Sequence, residues 1–179
     1  EMKRIILIGM AICAVWGLKA QSAGSISGLD KAHFGKYWKV ESESPDYEVS
    51  FSGDTCEILS PKGLTLWRKE KMCGNVVIEY DACVVDEGKP GDRLSDLNCF
   101  WMASDPQAKN IWQRMDWRKG EFLKCYSLQL YYLGYGGNYN STTRFRRYDG
   151  NQAGVTDAAQ RPGILKEYTD KEHLLVPNK

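Results

Sequence analysis

Histidine is almost missing from this chain: there are two, His33 and His173, so a three-histidine metal centre cannot be built from it. Charge of one sign is missing too. Twenty-four basic residues stand against 23 acidic ones, a net charge of +1, which excludes nucleic-acid binding through bulk charge. No C-x-x-C spacing occurs among the six cysteines, which excludes a zinc site of the finger type. There is no internal repeat, no long low-complexity tract and no E-x-D-x-E run of the kind retaining jelly-roll glucanases use. The longest apolar run, Ile5 to Leu18, falls short of the ~20 residues that span a bilayer, so no permanent membrane anchor is expected.

What is present begins with that run. Lys3 and Arg4 precede it, and Leu18-Lys19-Ala20 closes it on a small residue before Gln21. This is the pattern of a secretory leader over residues 1–20, and it predicts a protein exported to the periplasm or beyond the cell. Cys13 lies inside the run, so it does not read as a lipid attachment site. Removal of the leader takes Lys3, Arg4, Lys19 and Glu1, leaves a net charge of −1 and leaves no polybasic patch. Five cysteines remain. Export permits disulfides, and Cys56 with Cys73 is the best pairing; Cys83, Cys99 and Cys125 fall in strand-like runs and read as buried free thiols.

Residues 21–33 are small and polar, a flexible lead-in to a domain over 34–179. Aromatics make up 12% of the chain and there are 17 glycines, a mixture that favours β-structure with aromatic-lined surfaces. Strands are expected over 37–43, 47–52, 55–59, 64–69, 75–85, 96–103, 122–135 and 142–148, with Gly, Pro and charge crowded into the joins. One short helix is expected over 106–114. Several strands carry one apolar face and one mixed face. A two-sheet sandwich with a wetted groove gives that pattern, because lone polar residues would be costly if simply buried.

Two runs, LWRKEKMCGNVVIEYDACVVDEGKPGDRLSDLNCFWMASDP and YYLGYGGNYNSTTRFRRYDG, resemble an exported Bacteroidetes family of unknown function found with polysaccharide-utilisation genes. The likeness covers roughly 35–176 and implies a concanavalin A-like jelly roll of two antiparallel sheets. It also implies that further Trp- and Tyr-rich strands follow HLLVPN. A complete jelly roll takes ~200 or more residues, so the chain reads as incomplete at its C-terminal end.

Three constellations could carry chemistry. In Tyr131–Tyr148, glycines 134, 136 and 137 allow close backbone approach, and Tyr135, Asn138 and Asn140 offer hydrogen bonds to a ligand. Alternation puts Arg144, Arg146 and Tyr148 on one strand face. Two guanidinium groups beside a tyrosine suit a sugar carboxylate or sulfate; the alternative is arginines paired with Glu79, Asp81 or Asp149. The second is Asp96 and Asn98 on a mixed face, with Trp101 opposite, as core or as a sugar-stacking platform. The third is Glu79 with Asp81, same-face carboxylates ~7 Å apart, a spacing that fits either glycosidase geometry.

These readings lead to an exported carbohydrate-active protein that cleaves an acidic, uronate-containing polysaccharide by lyase or hydrolase chemistry. Arg144 or Arg146 would neutralise the uronate, and Tyr131, Tyr148 or His173 would act as base. Glu79, Asp81, Asp96, Asn98, Tyr135, Asn138 and Asn140 would bind substrate. The alternatives are a non-catalytic glycan-binding module of the same fold and a structural or adhesive sandwich. No cofactor is expected; the one metal chemistry left open is calcium on Asp92, Asp96 or Asp149. The expected partner is a poly- or oligosaccharide.

Overall fold

A computed structural model describes residues 3–11, 29–53, 55–89, 92–157 and 160–179, the first segment by its backbone. The architecture is all-β and antiparallel. One sheet has the order β3 (Glu48–Ser52), β4 (Thr55–Ser60), β1 (Lys3–Ala11), β6 (Glu79–Val84). A second has the order β10 (Ile164–Tyr168), β9 (Thr142–Asp149), β8 (Gln129–Gly136), β7 (Leu97–Ser104). A two-stranded ribbon pairs β2 (Trp38–Ser42) with β5 (Leu64–Arg68). Among the described residues no helix is long and apolar enough to cross a membrane.

The strands form where alternation and turn chemistry place them. In β4, Cys56, Ile58 and Ser60 are buried while Thr55, Glu57 and Leu59 are half-exposed. In β8, Leu130, Tyr132, Gly134 and Gly136 are buried and the intervening residues are not. The inward set of β8 joins Leu128, Tyr148, Tyr126, Cys125, Met115 and Trp67 in the larger core cluster. A smaller cluster of Leu29, Trp38, Cys56 and Ile58 lies under the first sheet. Each fully enclosed apolar side chain here contributes about 1.5–3 kcal/mol.

Several expectations need correction. The strand expected over 122–135 starts only at Gln129, because Phe122–Ser127 winds into a 3₁₀ turn that buries Cys125, Tyr126 and Ser127. The strand expected from Asn75 starts at Glu79. The helix expected over 106–114 is a 3₁₀ turn at Ile111–Arg114, with Asn110 capping the Trp112 amide, followed by α2 (Met115–Arg118). The edge strand β10 was not expected at all. The lead-in falls largely outside the described residues, yet its end is ordered. Leu29 is buried, and Asp30 accepts hydrogen bonds from the Ala32 and His33 amides ahead of α1 (Phe34–Tyr37). The expected Cys56–Cys73 pairing is not made: both are free thiols, the first buried and the second exposed. Of the leader, residues 12–20 lie outside the described residues, whereas 3–11 form β1, paired with both β4 and β6.

A buried ion network ties the ribbon to the second sheet. Arg118 has no exposed surface; it donates to both carboxylate oxygens of Glu41, at 3.1 and 3.0 Å, and to the Ile111 carbonyl at 2.7 Å. Asp105 lies 3.5 Å from Arg118 and 2.9 Å from Arg114. Trp67 Nε1 and the Gly120 amide complete the Glu41 carboxylate at 2.8 and 3.2 Å. Gly120 sits at φ +69, and a Cβ there would meet the Glu41 carbonyl oxygen at 2.8 Å, so only glycine lets this loop close on β2.

Candidate functional site

β7 forms the border of the second sheet, and a large hollow opens beside it. This trough, about 1710 Å³, is walled by β5, by the 69–80 segment leading into β6, by β7 and by the 105–112 loop. Its lining is aromatic at intervals: Trp67, Phe100, Trp101, Trp112 and Tyr80. Trp67 stacks on Phe100 at 5.8 Å and 18°, and Trp112 is half-buried with Lys39 Nζ 5.9 Å from its ring centre. The lining also includes the amides of Asn75, Asn98 and Asn110, and Asp96 and Arg93.

Register explains how Asn98 reaches the trough. It pairs with Gly134, and a Cβ on Gly134 would lie 2.2 Å from the Tyr132 hydroxyl. The glycine lets that hydroxyl cross to donate to Asn98 Oδ1 at 3.1 Å. With Oδ1 engaged, the Asn98 amide nitrogen is the group turned to donation. The Asp96 carboxylate is engaged: Arg93 Nη2 donates to Oδ2 at 2.6 Å and Ser95 Oγ at 2.8 Å. Arg93 sits over the exposed Tyr139 ring, its guanidinium carbon 4.7 Å from the ring centre.

Of the residues nominated from sequence, Asp96, Asn98 and Trp101 line this trough and the others do not. Arg144 and Arg146 do share a face, but it is the face of Tyr132 and Leu130, and both arginines are already engaged. Arg144 pairs with Glu167 across the β9–β10 ladder, and Arg146 donates to the Pro162 carbonyl. Their partners therefore come from the unexpected strand β10 and the segment before it, not from Glu79, Asp81 or Asp149. Tyr148 is enclosed against Tyr126 and Tyr132, and burial raises its hydroxyl pKa far above the ordinary value of 10. Its hydroxyl favours the protonated form and its ring packs in the core. Tyr131 points the other way, stacked with Trp101 and Phe145 at 5.8 Å each. Trp101 and Phe145 are nearly parallel at 5.5 Å, so Trp101 serves both as packing and as trough wall.

The remaining nominees are elsewhere. Glu79 and Asp81 are exposed, while Tyr80 between them lines the trough; alternation paired the carboxylates correctly but on the outer side. Tyr135 donates to the Leu174 carbonyl at 2.9 Å. Asn140 clamps Leu175 through both its amide nitrogen and its oxygen, at 2.9 and 2.8 Å. Asn138, Tyr139 and Asn140 follow one another with φ between +52 and +57, a left-handed turn. His173 bonds Asp170 at 2.7 Å and stacks on Tyr168, and that hydrogen bond lowers the Asp170 pKa. Among the described residues no three His, Cys, Asp or Glu side chains converge to hold a metal.

Sequence reasoning missed Trp67, Trp112, Tyr80 and Asn110. Burial, and after it the neighbouring Cys99, push the Tyr80 hydroxyl up to about 12. One clue was available: Trp112 stands between Asn110 and Gln113 in NIWQR, yet nothing local says that β5 and the 105–112 loop face one hollow.

A family described as a domain of unknown function (DUF6250) matches residues 58–179. The chain belongs to that family. The match runs from inside β4 to Lys179 and so takes in β5, β7 and the 105–112 loop of the trough. No curated protein and no solved structure matches the chain.

Proposed function

We propose that this chain is an exported glycan-binding β-sandwich module that holds a saccharide in the trough beside β7. The observation that carries the reading is the gathering of rings and amides in the lining of one hollow: Phe100, Trp101 and Trp112 with Asn75, Asn98 and Asn110. Pyranose rings present apolar C–H faces and a rim of hydroxyls, so flat rings and fixed amides are the matching surface. The resemblance to an exported family found with polysaccharide-utilisation genes, of jelly-roll type, points the same way. The cleavage reading is weaker, because its arginines are paired at the β9–β10 edge and Tyr148 is in the core.

The test is calorimetric titration of the purified protein with a panel of neutral and uronate-containing oligosaccharides. A saturable heat is expected, weakened about tenfold, or ~1.4 kcal/mol, by Trp112→Ala and by Asn98→Ala and left unchanged by Arg144→Ala. No binding across the panel overturns the proposal. New reducing ends or an ultraviolet-absorbing product would replace it with the enzyme reading.

A further inference from the structure

Two buried polar atoms outside the trough have no hydrogen-bond partner among the described residues: the Tyr148 hydroxyl and Arg161 Nε. Both border Tyr126. Tyr148 is 1% exposed and stands on the face of β9 that also carries Arg146. Its ring packs edge-on against Tyr126 at 5.0 Å. Arg161 comes to the same tyrosine from the segment between β9 and β10. Burial raises the Tyr126 hydroxyl pKa, and the Arg161 and Arg146 guanidinium groups pull it back down. That segment is fixed against this corner by its backbone. The Gln152 amide donates to the Tyr126 carbonyl at 3.4 Å and the Gly154 amide to the Leu123 carbonyl at 3.2 Å, while Val155 packs on the larger core cluster.

Neither cation is neutralised. Arg146 Nη1 donates to the Pro162 carbonyl, and Arg161 Nη2 to the Thr156 carbonyl at 3.4 Å. Both acceptors are uncharged, and no carboxylate among the described residues forms an ion pair with either arginine. The acids that flank them in sequence are engaged elsewhere: Glu167 pairs with Arg144, Asp149 accepts from the Asn151 amide, and Asp157 accepts from the Gln160 side chain.

We propose that Arg146, Arg161, Tyr148 and Tyr126 form a binding site for a small tetrahedral oxyanion, phosphate or sulfate. Guanidinium N–H groups and phenol hydroxyls are donors, and such an anion offers acceptor oxygens together with the charge that both arginines lack. A saccharide hydroxyl or a water would satisfy the orphaned Tyr148 oxygen and leave both charges uncompensated. The enclosure of Tyr148 restricts the ligand to a few atoms. None of the four side chains lines the trough, so the site is separate from the saccharide reading and does not rest on it. Once bound, the anion bridges β9 to the segment that follows it.

The test is calorimetric titration of the full chain with sodium phosphate, sodium sulfate, sodium acetate and sodium chloride at matched ionic strength. Saturable binding of phosphate, of sulfate or of both is expected, and the arm that binds identifies the source. Tyr148→Phe removes the hydroxyl and keeps the ring. In chloride it should melt at or above the parent's temperature, because a buried donor without a partner is gone. It should nevertheless bind the anion at least about tenfold more weakly, and so should Arg161→Gln. Arg147→Gln, exposed on the other face of β9, should leave the affinity unchanged. Hydrogen exchange at the Gly154 and Val155 amides should slow in phosphate or sulfate and not in chloride. No saturable binding of either anion by the parent overturns the proposal. Binding that acetate or chloride equals, or an affinity unaltered in Tyr148→Phe and Arg161→Gln, overturns it as well.

Discussion

Arg118 shows how much one side chain can be asked to do. It is wholly buried, and the Glu41 carboxylate, Asp105 and the Ile111 carbonyl surround it. Removing one partner of such a group leaves a buried charge without its counterpart, which costs about 3–5 kcal/mol. Glu41→Gln and Arg118→Met should each lower unfolding free energy by that amount in urea titrations. The double variant should lose less than the two singles added together, since neither stranded charge then remains. The thiols make a second prediction at this scale. Burial pushes Cys56 up to about 11 and Cys125 up to about 12 from the ordinary 9.0. A group whose folded pKa is raised contributes fully below its unfolded pKa, and that contribution is lost as pH climbs toward the folded value. Stability should therefore decline between about pH 9 and pH 12. Cys56→Ala/Cys125→Ala should flatten that slope, and an unchanged slope refutes the assignment.

At the scale of elements, the left-handed turn between β8 and β9 and the segment after β10 depend on each other. Three successive non-glycine residues at positive φ are unfavourable, at about 1–2 kcal/mol each for a side chain such as Tyr139. Asn140 offsets part of this by bonding both backbone groups of Leu175. Asn140→Ala strands those groups and puts alanine where asparagine tolerates the backbone better. The melting temperature should fall, and the Leu175 amide should exchange faster while the β8 amides stay protected. The strands themselves were legible in the residues. Alternation and turn chemistry located β2, β3, β4, β5, β7 and β9 to within a residue or two, because period-two patterning is a local property. Misjudged were Phe122–Ser127, whose apolar run suits a buried 3₁₀ turn as well as a strand, and β10, whose exposed edge carries no apolar alternation to read.

At the scale of the whole molecule, the trough lies where the ribbon, the edge of β7 and the approach to β6 meet. Its rings come from positions far apart in sequence, and so do its supports: Glu41 and Arg118 stand 77 residues apart. The sequence by itself determined that this is an antiparallel all-β protein, that Asn98 lies on a strand with a mixed face, and that Cys125 is a buried free thiol, whereas Cys83 and Cys99, expected to be buried too, are half-exposed and Asp96 precedes β7 at φ +60. It also put Arg144, Arg146 and Tyr148 on one face. Only the tertiary structure decided that this face turns inward, that β10 and Pro162 supply the arginines' partners, and that the hollow opens on the other border of the sheet. The reason is that alternation sorts side chains into two sets and is silent about which set meets a neighbouring sheet. That choice belongs to pairings between distant segments.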